Sequence, residues 1–263
     1  MNKFSIIIPT LNSYKILINL IDSIKSQTWN NWEVIFIDGG SNYKHTNYLK
    51  KLCFEDKRFL FYKQSKTNKG IFGAMNQGIE IIDKKSWFLF LGSDDKLRDN
   101  STLERINIKI NSLGANNMDL LICRGIYFDI RNHNYIREAY FINKKNDSIL
   151  NLESYKKLIF QGFTPPHQTT LFNGNSEIIL ERYNEKFKVA ADLELFCRLT
   201  NSTKKFRIAN VSLEIICIST GGVSNKNHFL RVKEVIKCYI KYFKFRFIFP
   251  LFKRYYNRYK QIL

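Results

Sequence analysis

Three apolar runs in the first hundred positions have the length and composition of strands buried on both faces: Phe4-Ser5-Ile6-Ile7-Ile8, Glu33-Val34-Ile35-Phe36-Ile37 and Trp87-Phe88-Leu89-Phe90-Leu91. Between the first two, Ile16, Leu17, Leu20, Ile21 and Ile24 recur at helical spacing. Ser13 is placed to cap that helix, and Pro9 to end the strand before it. Strand, helix and strand in this order describe a βαβ nucleotide-binding half. Farther on, 58–63 and 118–124 read as strands, 102–113 and 151–161 as helices, and 126–142 as a hairpin about Arg131-Asn132-His133-Asn134. Gly162-Phe163-Thr164-Pro165-Pro166 reads as a rigid loop delivering His167, and the paired glycines of 220–224 as a loop able to close over a ligand. The pattern predicts one α/β domain over 1–225 and an extension over 226–263.

The chemistry sits where the strands stop. The second run empties into Asp38-Gly39-Gly40-Ser41 and the third into Gly92-Ser93-Asp94-Asp95. Two adjacent carboxylates there cannot be core, because unpaired buried charge is too costly. Open α/β sheets place their ligands in the crevice beyond the strand carboxyl ends. Paired hard oxygens in that crevice suit Mg²⁺ or Mn²⁺, which one or two carboxylates and substrate phosphates commonly hold. The competing reading makes Asp94 or Asp95 the cap of a following helix. No G-x-G-x-x-G follows the first strand and no G-x-x-x-x-G-K-[ST] occurs, which argues against a nicotinamide, flavin or P-loop enzyme.

Five segments in order then carry a resemblance. Phe4 through Asn12 with Ile37-Asp38-Gly39-Gly40-Ser41 resembles the opening of glycosyltransferase family 2. Asn68-Lys69-Gly70-Ile71-Phe72-Gly73-Ala74-Met75-Asn76-Gln77-Gly78-Ile79 resembles its glycine-bearing loop and helix, and Leu91-Gly92-Ser93-Asp94-Asp95 its metal-binding D-x-D variant. His167-Gln168-Thr169-Thr170-Leu171-Phe172 and the stretch from Ala190 to Leu199 are similar to its acceptor-side segments. The likeness runs over roughly 3–225. It implies a nucleotide-diphospho-sugar transferase fold of the GT-A type, with a Rossmann-like, mixed but mostly parallel sheet flanked by helices. It also implies sugar transfer with inversion and a divalent metal, Mn²⁺ or Mg²⁺. Carried over residue by residue, Thr10, Asn12 and Asp38 fall at the nucleoside, with Asp38 accepting from the base edge. Lys69 and Gly70 fall near base and ribose, while Asn76, Ser93 and Asp94 belong to the nucleotide-sugar site. Asp95, supported by Asp94, would hold the metal, and Asp192 would be the general base. His167, Gln168 and Glu194 are candidates for the acceptor or the diphosphate, although His167 reads equally well as a hydrogen-bonded structural histidine. Two positions depart from the family pattern: Asn12, often acidic there, and Gly92, which stands where D-x-D begins with Asp.

Composition narrows the setting. Apolar residues at 44% exclude general disorder, and no apolar stretch approaches the ~18 residues of a spanning helix. Five scattered cysteines without C-x-x-C spacing read as reduced thiols, and a strand starting at Phe4 leaves no signal peptide, so a cytoplasmic enzyme is expected. The net charge of +19 implies an anionic partner surface, and the segment from Lys226 onward carries Glu234 as its single acid. Phe229, Val232, Ile236, Tyr239, Ile240, Phe243 and Phe247 recur there at helical spacing, Arg231, Lys237, Lys241 and Lys244 fall largely off that stripe, and Pro250 is placed to break the helix. A basic amphipathic helix rich in aromatics lies on anionic membranes, which predicts peripheral attachment at the inner face of the plasma membrane. Packing of that helix on the catalytic domain is the alternative. No nucleic acid is expected, since no RNP, KH or zinc-finger pattern occurs.

The resulting expectation is a hexosyl- or N-acetylhexosaminyl-transferase that moves a sugar from a UDP-sugar to a glycan or lipid-linked acceptor in surface polysaccharide synthesis. A nucleotidyltransferase would instead carry a Gly-rich basic loop after the first strand, where Thr10-Leu11-Asn12-Ser13 stands. A non-catalytic sugar-nucleotide or membrane-binding module would have no use for both Asp95 and Asp192.

Overall fold

The computed structural model describes residues 2–114, 118–129, 134–142, 147–220 and 227–260. The strands are β1 (Phe4–Thr10), β2 (Trp32–Asp38), β3 (Phe59–Lys63), β4 (Trp87–Phe90), β5 (Lys96–Leu97), β6 (Leu120–Phe128), β7 (Tyr135–Ala139), β8 (Ser148–Leu150), β9 (Thr170–Asn173) and β10 (Ile208–Ser219). They form a single sheet in the order β3-β2-β1-β4-β9-β6-β10-β5, with β7 on β6 and β8 on β10. β9 pairs antiparallel with both β4 and β6, and β6 pairs parallel with β10. Hence β3, β2, β1, β4, β6 and β10 all point one way and end at one edge, a mixed but mostly parallel sheet as expected. The hairpin expected over 126–142 is β6 with β7; its tip at 131–133 lies outside the described residues, as do 221–224 of the glycine loop.

The helices are α1 (Tyr14–Lys25), α2 (Tyr43–Glu55), α3 (Gly70–Ile81), α4 (Thr102–Ser112), α5 (Leu152–Phe160), α6 (Ala191–Leu199), α7 (His228–Phe243) and α8 (Ile248–Lys260). Strand side chains alternate between faces, so each strand feeds two cores. Ile6, Ile8, Val34 and Phe36 pack with Leu17, Leu20 and Ile24 of α1, Leu49 of α2 and Ile106 of α4. Ile7, Ile35 and Phe90 face the other way, toward α3, Tyr155 of α5, Phe196 of α6 and Tyr239 of α7.

Several local expectations are corrected. Pro9 does not end β1, which continues to Thr10 beside β2. Ile7 offers its carbonyl to Leu91 on the β4 side, so the Pro9 nitrogen, two residues on, faces where β4 has already stopped. Ser13 occupies the cap position of α1 but makes no capping bond; its hydroxyl meets that of Ser93 at 2.9 Å. Ile16 is exposed rather than part of the buried stripe. Neither Asp94 nor Asp95 starts a helix, because β5 follows them directly.

The tail differs most. α7 buries Val235, Cys238 and Tyr239 together with Glu234, while Phe229 and Ile240 of the expected apolar stripe face outward. Pro250 does not break the helix. The break falls at Lys244, in the left-handed region at φ 50°, and Pro250 lies in the first turn of α8, where its missing N–H costs nothing. α8 returns to the body against Gly162, whose φ is 82° and where a Cβ would overlap the backbone of Lys253 and Arg254. Asn257 donates to the Gln161 carbonyl at 3.0 Å.

Because α7 completes a core, Tyr239→Ala should lower the unfolding free energy by about 3 kcal/mol in urea titrations, and a chain ending at Asn227 should lose its cooperative transition. A truncated chain with an unchanged midpoint would show that the tail is dispensable for folding.

Candidate active site

A cleft of about 690 Å³ opens beyond β2 and β3, lined by the Asp38–Ser41 turn, the 63–70 loop and Thr46 and Lys50 of α2. Lys50, Lys63, Lys66 and Lys69 surround it and make it attractive to anions. Asp38, 2% exposed, is committed to its own turn. It accepts from the Gly40 and Ser41 amides at 3.2 and 2.9 Å, from the Ser41 hydroxyl, and from Thr10 Oγ1 at 3.3 Å. His45 Nε2 stands 3.4 Å away; burial lowers the pKa of that imidazole, and the Asp38 charge only partly offsets it. With its lone pairs so filled, Asp38 has little capacity left for a base edge and instead shapes the turn that lines the cleft.

Asn12 also serves this turn. Its φ of 52° suits Asn better than most residues, its side chain accepts from the Asn42 amide at 2.9 Å, and its own amide donates to Ser41 Oγ at 2.8 Å. An amide acceptor meets that geometric demand without adding a charge. Lys69 caps α3 by position, and Gly70 has φ 72°. Gln64, not singled out in the sequence, donates to the carbonyls of Asn68 and Gly70 at 2.5 and 2.7 Å and so sets the loop. Asn76 is a correction. It is 5% exposed and turned away from the cleft, donating to Tyr183 O at 2.9 Å and Glu185 Oε1 at 3.1 Å and accepting from Tyr183 N at 2.8 Å. Its hydrogen bonds are used in tying α3 to the 183–185 segment.

At the end of β4, Asp95 is 3% exposed and accepts from the amides of Gly92 at 2.8 Å and Ser219 at 3.0 Å. Burial, then the neighbouring Asp94 charge, pushes its pKa up to about 7. A Cβ at position 92 would lie 2.8 Å from Asp94 Oδ1 and 3.1 Å from Asp95 Oδ2, so glycine there leaves room for both carboxylates. Two adjacent hard-oxygen donors, one carrying charge that its surroundings disfavour, fit a divalent cation whose remaining ligands come from phosphates and water. No cluster of three or more His, Cys, Asp or Glu side chains that would hold a metal unaided exists among the described residues.

The third part lies across β9. Asp192 is the second residue of α6, half-buried, with Ala190 rather than Asp192 at the cap position. Among the described residues its carboxylate has no hydrogen bond or ion pair, although its charge acts on His167, Tyr183 and Arg254. The chain entering α6 is held from the tail: Glu234 accepts from the amides of Lys188, Val189 and Ala190 at 2.7, 2.9 and 2.9 Å. His167 stacks on Phe90 with ring centres 5.3 Å apart and shares a 2.6 Å hydrogen bond with the Tyr183 hydroxyl. Burial lowers its pKa, so it is neutral near pH 7. Gln168 sits half-buried in the same short turn, His167–Thr169. Glu194 is a second correction, since it is 0% exposed and faces the tail. It accepts from Tyr242 Oη at 2.5 Å, Lys241 Nζ at 2.9 Å and Arg198 Nε at 3.3 Å, which leaves it no access to a substrate.

The sequence pattern of the family described as glycosyl transferase family 2 matches residues 5–165, more than half of the chain. The chain belongs to this family. It is 36% identical over 104 residues to a PGL/p-HBAD biosynthesis glycosyltransferase of Mycobacterium bovis, a stretch that is 39% of this chain and 40% of that protein. A Rickettsia typhi protein described as an uncharacterized glycosyltransferase is 36% identical over 121 residues, 46% of this chain and 35% of that one. The chain thus spans about two fifths or less of the length of these relatives. Among solved structures, Staphylococcus aureus TarS 1–349 in complex with UDP-GlcNAc superimposes with a TM-score of 0.65 at 18% identity, covering 90% of this chain and 66% of that one. The Pyrobaculum calidifontis mannosyltransferase PcManGT, in complex with GDP-Man and Mn²⁺, gives 0.60 at 10% identity, covering 91% and 63%. At those identities the superpositions show the fold.

Asp95 also sets a pH dependence. Its folded pKa of about 7 lies above the ordinary 3.8, so the folded chain keeps a proton that the unfolded chain has released. That contribution to stability is present at low pH and is lost as the pH rises through 7. In EDTA, Asp95→Asn should therefore melt several degrees above wild type at pH 8 and close to it at pH 4, with saturating Mn²⁺ stabilising wild type only. Equal melting temperatures at pH 8 would show that Asp95 is not destabilised by ionising.

Proposed function

We propose that this chain is an inverting glycosyltransferase that moves a sugar from a nucleotide-diphospho-sugar to an acceptor hydroxyl. What supports the reading best is Asp192, a carboxylate without a hydrogen bond or ion pair among the described residues, held on the first turn of α6 by backbone clamped from another element. The lysine-ringed cleft takes the nucleotide, with the Asp38–Ser41 turn and Gly70 as its walls. Asp94 and Asp95 would hold Mn²⁺ or Mg²⁺, with Ser93 beside them. When bound, the metal offsets negative charge on the diphosphate. Asp192 takes the proton from the acceptor hydroxyl as its oxygen bonds to the anomeric carbon. The bond from that carbon to the diphosphate oxygen breaks on the opposite face, and the nucleoside diphosphate leaves with the electron pair. Neutral His167, fixed by Tyr183 and Phe90, walls the site without adding charge.

The donor is taken as a UDP-sugar, a hexose or N-acetylhexosamine, in keeping with the ligands named for the TarS structures. The acceptor is taken as a glycan or lipid-linked glycan of surface polysaccharide synthesis. The outward face of α8 supports a membrane location: Ile248, Phe249, Phe252, Tyr255 and Tyr259 are exposed at helical spacing, beside Lys253 and Arg246. No helix among the described residues is long and apolar enough to cross a membrane. The enzyme would then lie against the inner face of the plasma membrane from the cytoplasm.

Asp192→Asn keeps shape and loses the base, so it should bind donor normally and transfer sugar ~10²–10⁴-fold more slowly in a radiolabelled-donor assay. Near wild-type transfer would remove Asp192 from the mechanism. Asp95→Ala, or wild type in excess EDTA, should lose both turnover and tight nucleotide-diphosphate binding; full activity in EDTA would exclude the metal. Phe249→Ser with Phe252→Ser should weaken sedimentation with anionic vesicles at least tenfold, and added salt should weaken wild-type binding. Binding indifferent to both would place the protein off the membrane.

A further inference from the structure

Two arginines of α8 are left over by this account. Arg254 is 7% exposed, unusual for a charge with no acidic partner. One of its terminal nitrogens, Nη1, donates to Thr164 Oγ1 and the Tyr239 hydroxyl lies beside the guanidinium and favours its charge, while Nε is buried without a hydrogen-bond partner. Arg258 follows one helical turn later on the same face, about 5–6 Å away at the Cβ atoms. Neither forms an ion pair among the described residues. Two more arginines approach from other elements, Arg137 of β7, stacked 3.9 Å from the centre of the Tyr127 ring, and Arg231 of α7. Asp192 is the carboxylate whose field reaches Arg254.

A buried, incompletely bonded guanidinium beside a second one, with repulsion between like charges, is a site short of an anion. Guanidinium forks match phosphate oxygens in paired hydrogen bonds. We propose that Arg254 and Arg258 form an acceptor subsite that binds a phosphate group and so holds the acceptor hydroxyl at Asp192. The assignment to the acceptor rests on Asp192 being the base; the donor diphosphate has its own place at Asp94 and Asp95. The other face of the same helix carries the exposed aromatic stripe, so a bilayer against that face would bring lipid phosphates level with the arginines.

Inorganic pyrophosphate titrated calorimetrically into the full chain in EDTA, where metal-dependent donor binding is silent, tests this directly. Saturable binding to one site is expected in wild type and in Asp95→Ala. It should weaken at least tenfold in Arg258→Gln and vanish in Arg254→Gln. Arg258 is exposed, so its variant carries the test if Arg254→Gln does not fold. Asp192→Asn should keep or strengthen the binding, which separates this site from the fate of the base assignment. Binding kept in Arg258→Gln but lost in Lys63→Gln with Lys66→Gln would put the anion in the lysine-ringed cleft and overturn the proposal, as would no binding in wild type. Phosphatidylcholine vesicles with and without a few per cent of an isoprenyl phosphate identify the source. Arg258-dependent capture by the phosphate-bearing vesicles alone supports a lipid phosphate; pyrophosphate binding without capture supports a phosphate on a soluble glycan.

Discussion

Six strands running in one direction place the cleft and the carboxylate pair at one edge of one sheet. A strand that stops leaves its next residues outside the hydrogen-bonded ladder, free to form turns and expose polar groups. β1 and β2 supply Thr10 and the Asp38–Ser41 turn, β3 the start of the lysine-bearing loop, β4 the carboxylate pair, and β10 the Ser219 amide that holds Asp95. β9, running against its neighbours, lets β6 and β10 add to the same edge while returning the chain from the His167 turn.

The second dependence is electrostatic and runs through the tail. Glu234 is the only acid after Lys226, and it is spent on three consecutive backbone amides ahead of α6. Glu194 answers from α6 with bonds to Lys241 and Tyr242 of α7. Such buried, charge-assisted bonds are costly to break singly, because each would strand a partner. The helix that carries Asp192 and the tail are therefore placed as one unit, although the family pattern itself stops at residue 165.

The parallel half of the fold was legible because uninterrupted apolar runs closed by Gly, Ser and Asp have few other physical outcomes. The carboxylate pair at 94 and 95 was legible for the same reason. Misreadings came from polar residues whose partners lie far along the chain. Asn76 bonds the backbone of Tyr183, and Glu194 bonds Tyr242; neither contact leaves a local pattern. The tail was read as one basic helix with a membrane-facing apolar stripe, and its division between inward and outward faces is different. α7 buries Glu234 and Cys238, and α8 turns aromatics outward and Arg254 inward, a reversal visible only once the body it packs on is known. Pro9 and Pro250 show that proline acts by position: one lies past its neighbour's end, the other in a first turn.

The contact at Gly162 has a mechanical consequence. Backbone meets backbone there with no side chain between, so the 161–164 segment and α8 have no compliant layer through which one slides past the other. Force applied to the outer face of α8, by adsorption or by crowding, is transmitted undamped to Thr164 and the two prolines that lead into His167. α8 thereby acts as a stiff backing plate for the loop that leads into His167.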